Sequence, residues 1–504
     1  MTDNETTRTA IGSITLATQS IINTLLGLVF FIFLARLISQ AEMGVYASLL
    51  TIIFLFQAAG CLGLPVAASR FIPKSRSEGK LEEVSKYVMS ILAISTVSAI
   101  TSSALLYLLA GSVASFLTKS TQYSGIFALA SLVVFATVLA TNLDAVMQGI
   151  QSFGKLATVR ISAQGLRVAL TVFLLLRGFG LIGVVFGYVA MNAFSIVLLL
   201  YALREHMHSR PEAPTTRKLL NYSFPLLLSN MANFFSTQTD LLTLMILTIP
   251  ALVGTYNVAV TVSGLLGTIL VATISATVQP AAAKLYGLSG THALESALRR
   301  ASRYLAFSYV PAAIGLAALG GTAVNVMAGP GYLAANVPLG IISVASVFTA
   351  LSLIPVIALQ TIGDTRSVLT LTLASIGAGL AAELVLIPML ATTGAALGRT
   401  ILVIVAFGAG LYLARRRLKL TFDVEALRKT IIASVAMGTV LFIMQAELGY
   451  AFYNALLSIP VGVIVFLLGM RIQRAIRAED INILANVLPR RLKRVSDLIY
   501  WIAT

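Results

Sequence analysis

A few charged residues stand inside long apolar stretches of this chain: Asp144, Arg160, Arg167, Asp240, Glu383 and Arg399. A charge at the centre of a hydrocarbon layer costs about 2.5–3.5 kcal/mol on insertion scales, so each needs a partner or a purpose. A guanidinium stays ionised and its planar fork grips two phosphate oxygens together. Arg160 and Arg167, two helical turns apart, are therefore candidates for binding a phosphate. A carboxylate in the same surroundings takes up a proton or holds a cation. That makes Asp240 and Asp144 candidates for a coupling ion, with a counter-charge to Arg167 as the other reading of Asp240. At about 1.5 Å per helical residue, Arg167 and Asp240 each fall roughly 15 Å inside their runs, counting from Arg177 and Pro250. Glu383 and Arg399 lie at matched depth in neighbouring runs, counted from Pro388 and Gly394, and read as a structural ion pair that neutralises the cost of burying either. Arg36 and Arg70, near the ends of the first two runs, either extend an anion path or snorkel to the interface.

Other chemistries find no support. No Gly-rich loop with Lys-Ser or Lys-Thr is present to cradle a nucleotide. The three histidines lie outside the apolar runs, and His206 and His208 lack a third ligand nearby, so no metal, cofactor or catalytic residue is assigned. The single cysteine, Cys61, excludes an internal disulfide and reads first as a small core residue, second as a reactive thiol.

The elements that must position these residues follow from composition. The 504 residues are 58% hydrophobic and 11% charged, against about 25% charged in soluble domains. Apolar runs near the ~20 residues needed to cross a bilayer recur at 11–38, 43–71, 86–111, 121–149, 156–176, 180–203, 219–249, 251–283, 299–320, 334–361, 367–388, 394–414, 429–446 and 449–470. Being continuous, they predict fourteen transmembrane helices rather than strands. The opening 1–10 is polar and no cleavable signal peptide is evident, so the first span is expected to stay.

The net charge of +16 is topological. Lys and Arg concentrate in the even-numbered loops and the tails, as at Arg70, Lys74, Arg76, Lys80 and Lys86, or Arg415, Arg416, Arg417 and Lys419. Odd loops hold only Arg36, Lys119 and Arg177. The positive-inside rule then puts both termini in the cytoplasm of a cytoplasmic-membrane protein. Membrane lipids are the expected partners of this charge, not nucleic acid.

An internal repeat organises the runs. Gly44-Val45-Tyr46 and Gly254-Thr255-Tyr256 open the second and eighth runs. Gln148 and Gln360 close the fourth and tenth, while Gly183 to Gly187 and Gly394 to Gly398 open the sixth and twelfth, all at offsets of 210–212. Six spans per copy preserve orientation, so the repeats are parallel and the site is expected between them. The expected organisation is a 1–10 tail, an N-lobe at 11–204, a linker at 205–218, a C-lobe at 219–414, two extra helices within 415–470, and a basic amphipathic tail at 471–504. The tail's Arg490–Trp501 stretch is expected to lie in the headgroup plane.

The stretch from Ala35 to Tyr46, with Arg36, Glu42 and Gly44-Val45-Tyr46, resembles the polysaccharide (Wzx-like) flippase family of the multidrug/oligosaccharidyl-lipid/polysaccharide exporter superfamily. So do Gly60 to Arg70, Met147-Gln148-Gly149-Ile150, Gly183 to Gly187, and Asp240 followed by Val253 to Tyr256. The second copy departs from the pattern where Thr361 replaces the counterpart of Gly149. The resemblance implies export of a polyprenyl-(pyro)phosphate-linked oligosaccharide by rocking of two six-helix lobes, coupled to an ion gradient, with polysaccharide assembly proteins as partners. A lipid-linked cell-wall-precursor flippase is the near alternative and a drug/cation antiporter the next. A membrane-embedded enzyme is remote.

Overall fold

The computed structural model describes residues 3–268 and 272–475. The amphipathic stretches expected after Arg477 lie outside the described residues. All regular structure among the described residues is helical. The chain divides into two compact units, Met1–Gly254 and Thr255–Thr504.

The first unit contains α1 (Asp3–Leu37), α2 (Gln40–Gly60), α3 (Leu64–Ser77), α4 (Leu81–Thr118), α5 (Ser124–Gly149), α6 (Phe153–Leu176), α7 (Gly180–Leu203) and α8 (Ala213–Leu247), and ends in the first turns of α9 (Pro250–Leu266). After the rest of α9, the second holds α10 (Ala272–Ala318), α11 (Gly320–Ala328), α12 (Asn336–Thr361), α13 (Thr365–Leu390), α14 (Thr392–Arg417), α15 (Val424–Leu448) and α16 (Phe452–Ile472).

Among the described residues, eleven helices are long and apolar enough to cross a membrane, or twelve if α10 and α11, bent by 74°, count as one span. The other two expected spans also correspond to helices. The run 219–249 is α8, 35 residues long but interrupted by polar side chains. The run 251–283 is divided between α9 and the start of α10. The protein is thus an all-α, multi-pass membrane protein.

One further run is broken where the sequence predicts continuity. The run 43–71 becomes α2 and α3, separated at Cys61–Gly63, where Leu62 (φ 51°) and Gly63 (φ 72°) are left-handed and Pro65 follows in the first turn of α3. Gly63 is required twice over, since a Cβ there would also press on the Ser223 carbonyl of α8. The backbone freed by the break stays bonded, with Cys61 N donating to Gln57 O (2.8 Å) and Leu64 N to Cys61 O (2.9 Å). In α10 the kink at Gly290, with φ 71° and ψ −161°, falls between the runs expected at 251–283 and 299–320.

The acid of the Arg36–Tyr46 motif has a local purpose. Glu42 closes a capping box with Ser39: Glu42 N donates to Ser39 Oγ (3.2 Å) and Ser39 N to Glu42 Oε2 (2.9 Å), satisfying the start of α2. Its glycine permits a crossing. A Cβ on Gly44 would overlap the Pro250 carbonyl oxygen, and one on Gly254 the Gln40 carbonyl oxygen, a reciprocal contact at the repeat offset of 210. At its other end α8 is held by Lys119, whose Nζ donates to the carbonyls of Phe116 (3.0 Å) and Ile246 (2.8 Å), joining the C-termini of α4 and α8.

In the second unit, the α15–α16 hairpin docks through buried polar groups. Thr322 N and Oγ1 donate to Gln445 Oε1 (3.0 and 3.1 Å), and Asn454 Nδ2 donates to Gly449 O (2.6 Å). Arg303 of α10 pairs at 3.7 Å with Asp423, the N-cap of α15, both almost fully buried.

Candidate functional site: an amide-lined cavity and a caged arginine

α8 is polar through its middle. Asn230, Asn233, Phe234 and Thr237 are spaced i, i+3, i+4 and i+7, so they share one face, with Gln238 beside them. That face borders a cavity of about 330 Å³ within the first unit. Phe54, Gln57 and Ala58 of α2 line it opposite, with Cys61 and Pro65 at the helix break and Thr141 of α5. Gln57 Nε2 donates to Thr141 Oγ1 at 2.9 Å, which fixes the amide. Phe234 is held edge-on against Phe235, ring centroids 5.4 Å apart.

The lining carries no charged side chain. It offers amides and hydroxyls, which both donate and accept, next to two phenyl rings. An occupant rich in hydroxyls, which donate and accept in the same way, suits this wall. The volume falls at the small end of the ~300–1,000 Å³ typical of ligand sites.

Arg167 is buried on α6, its guanidinium between two rings, 4.4 Å from the Phe30 centroid and 4.6 Å from that of Tyr188. The Tyr188 and Tyr46 hydroxyls meet at 3.3 Å beside it. No carboxylate lies within ion-pair distance of Arg167 among the described residues, Asp240 included, and its Nε has no hydrogen-bond partner there. The cage holds a permanent charge by cation–π attraction, strongest when desolvated.

The other sequence candidates are dispersed. Arg160 Nε donates to Asp144 Oδ2 at 3.0 Å, so the second arginine of the phosphate pair and one of the coupling carboxylates are joined across the α5–α6 hairpin. Asp240 is buried on α8, on the same helix as the amides but outside the cavity lining. Glu383 is fully buried on α13, packed so closely on Gly398 of α14 that a Cβ there would overlap it; Arg399 is the next residue. Arg36 is exposed near the end of α1. Arg70 is exposed on α3, stacked 4.6 Å over the Tyr222 ring.

The amides were missed by a search confined to charges. Their helical spacing in the run 219–249 was the available signal.

The family model described as polysaccharide biosynthesis protein matches residues 10–286, more than half of the chain. The chain belongs to the polysaccharide biosynthesis protein family. No curated protein matches it. Among solved structures it is similar to the lipid II flippase MurJ in an inward closed conformation, at 14% identity and TM-score 0.68, covering 92% of this chain and 98% of that one. It is also similar to an inward-facing multidrug resistance transporter of the MATE family (18%, TM-score 0.65, 81% and 96%). A third is a MOP superfamily transporter from Pyrococcus furiosus (18%, TM-score 0.57, 81% and 95%). At these identities the likeness is one of fold. For this member of the polysaccharide biosynthesis protein family, that fold is the all-helical, multi-pass architecture described above.

Proposed function

We propose that the protein is a flippase that carries a polyprenyl-(pyro)phosphate-linked oligosaccharide from the cytoplasmic to the outer face of the cytoplasmic membrane by alternating access. The observation that carries this reading is the cavity of uncharged amides, hydroxyls and phenyl rings on α2, α5 and α8. Sugar hydroxyls each donate and accept, and so match amides, while the C–H faces of a pyranose suit phenyl rings. Family membership and the fold shared with a lipid II flippase support a lipid-linked cargo. Arg167, a buried cation without a carboxylate, is assigned to the lipid phosphate. Asp144 is held by Arg160, so ion coupling falls to Asp240, and Glu383 with Arg399 is read as structural. Both termini are assigned to the cytoplasm from the distribution of Lys and Arg. The glycine contacts repeated at an offset of 210 support two duplicated lobes. Polysaccharide assembly proteins are the partners such a carrier would serve.

A drug/cation antiporter is the competing reading, and the lack of a carboxylate in the cavity lining weighs against it. An introduced cysteine supplies a test, because Thr237 is exposed in the cavity lining and Cys61 is the only native thiol in the chain. A lipid-linked saccharide should slow maleimide labelling of Thr237→Cys in a Cys61→Ala background, and Asn233→Leu with Gln238→Leu should remove that protection. Protection by lipophilic cations but not by the saccharide would favour the antiporter.

A further inference from the structure

A second cavity, about 790 Å³, opens where α3 meets the first turns of α8, lined by Phe71 and by Pro214, Arg217, Lys218, Asn221 and Tyr222. Aromatic rings hold one cation of the lining and one beside it. Phe71 stacks on Tyr87 at 5.5 Å and meets Tyr222 edge-on at 5.2 Å. Arg70, next to the lining residue Phe71, lies over the Tyr222 ring at 4.6 Å. Lys218 Nζ donates to the Tyr87 hydroxyl at 2.7 Å and sits 5.0 Å from the Phe71 centroid.

The acids of this region are engaged elsewhere. Glu78 pairs with Lys80 (2.6 Å), Glu82 and Glu212 with Lys86 (3.0 and 2.9 Å), and Glu83 accepts from the Tyr87 hydroxyl (3.2 Å). Arg70, Arg217 and Lys218 have no carboxylate within ion-pair distance among the described residues. Glu212, the N-cap of α8, makes no capping bond, its carboxylate being turned to Lys86.

An apolar stripe continues from the cavity along α8. Leu220, Phe224, Leu228 and Phe235 are exposed, at spacings of four and seven that keep them on one side of the helix. The cavity is therefore cationic at its head, with an apolar track leading away.

We infer that this is a capture site for a diphosphate ester carrying a long apolar chain, held by Arg70, Arg217 and Lys218 with its chain along α8. A sugar-linked polyprenyl diphosphate carries about two negative charges where a bilayer phosphodiester carries about one, and so complements three uncompensated cations better. The inference rests on the proposed lipid-linked cargo but concerns a place apart from the amide-lined cavity, where that cargo is first held. Guanidinium forks supply bidentate phosphate contacts, and the Tyr222 ring holds that of Arg70 in place before the ligand arrives.

The test is binding of radiolabelled farnesyl diphosphate to the full chain in detergent. Arg217→Gln with Lys218→Gln should weaken binding about tenfold or more, with gel-filtration elution unchanged. Lys74→Gln with Lys155→Gln, which removes the same charge from exposed residues outside the cavity, should leave binding as it was. Farnesol and inorganic diphosphate should each compete poorly, since each has half of the ligand. An equal loss in the Lys74/Lys155 variant would reduce the site to diffuse surface charge. Competition by phosphatidylglycerol as strong as by unlabelled farnesyl diphosphate would make it a bilayer-lipid site, and equal competition by inorganic diphosphate would remove the chain; either overturns the inference. Binding that Arg217→Gln with Lys218→Gln leaves unchanged overturns this site alone. Failure of the unaltered protein to bind farnesyl diphosphate counts against the polyprenyl cargo itself.

Discussion

Replacing Arg167 separates its structural energy from its part in transport. Its guanidinium lies 4.4 and 4.6 Å from two ring centroids in a buried setting, where each cation–π contact is worth about 2 kcal/mol. Against that gain stands the cost of holding a charge with no carboxylate beside it, about 2.5–3.5 kcal/mol on insertion scales. The two nearly cancel, so Arg167→Gln should fold with a melting temperature close to that of the native chain. Transport should not survive as well. Loss of a charge-assisted phosphate contact costs about 1.5–3 kcal/mol, or about ten- to a hundredfold in affinity. Arg167→Lys keeps the charge but loses the fork and should be impaired less than Arg167→Gln. Arg167→Glu should be inactive. The assay is the flipping rate in proteoliposomes, normalised to protein that elutes as folded by gel filtration. If Arg167 served only to balance Asp240, the exchange Arg167→Asp with Asp240→Arg would restore the rate; with no ion pair between them, recovery is not expected. A well-folded Arg167→Gln protein with full activity would remove this residue from the cargo path.

Other outcomes follow from the packing. Gly44→Ala should destabilise by at least about 1–3 kcal/mol, because its Cβ would overlap the Pro250 carbonyl and the backbone must move; unaltered thermal stability would refute the close crossing. Asp423→Asn should cost about 3–5 kcal/mol by leaving Arg303 a buried charge with its ion pair broken. Adding Arg303→Met should recover most of that, read as folded yield. Hydrogen bonds from the Ser367 backbone N–H and hydroxyl, aided by Arg417, hold the Asp364 carboxyl below its ordinary pKa. Its contribution is therefore complete above about pH 4, the unfolded carboxylate value, and is lost as pH falls through the lower folded value. Asp364→Asn should remove that acid-dependent part of the melting curve, and an identical pH profile would contradict the assignment.

The spans were legible because apolar residues run on without interruption, and nothing but a bilayer-facing helix accommodates runs of that length. The breaks were harder. Gly63 is one glycine among 37, and only its left-handed backbone marks it as a turning point, whereas Gly290 falls between two expected runs. The pairing of Arg160 with Asp144 depends on the α5–α6 hairpin bringing residues 16 apart into contact, so a reading of separate runs assigned them separate roles. Glu383 was found through its charge, and its burial against Gly398 agrees with a structural role. The amides of α8 escaped because an uncharged side chain costs less to bury and draws less notice than an arginine, although Asn230, Asn233 and Thr237 hold a helical period in plain view. Glu42, part of a motif that suggested kinship, is explained by the cap it makes with Ser39.

The most direct test is translocation by the purified protein in proteoliposomes loaded with a fluorescent polyprenyl-diphosphate-linked saccharide, with and without proton and sodium gradients. The account predicts that the saccharide crosses between leaflets in a protein-dependent manner, faster with one gradient, and that Asn233→Leu with Gln238→Leu slows it without unfolding the chain. No exchange of the saccharide under any gradient, together with gradient-driven efflux of a lipophilic cation, would contradict it.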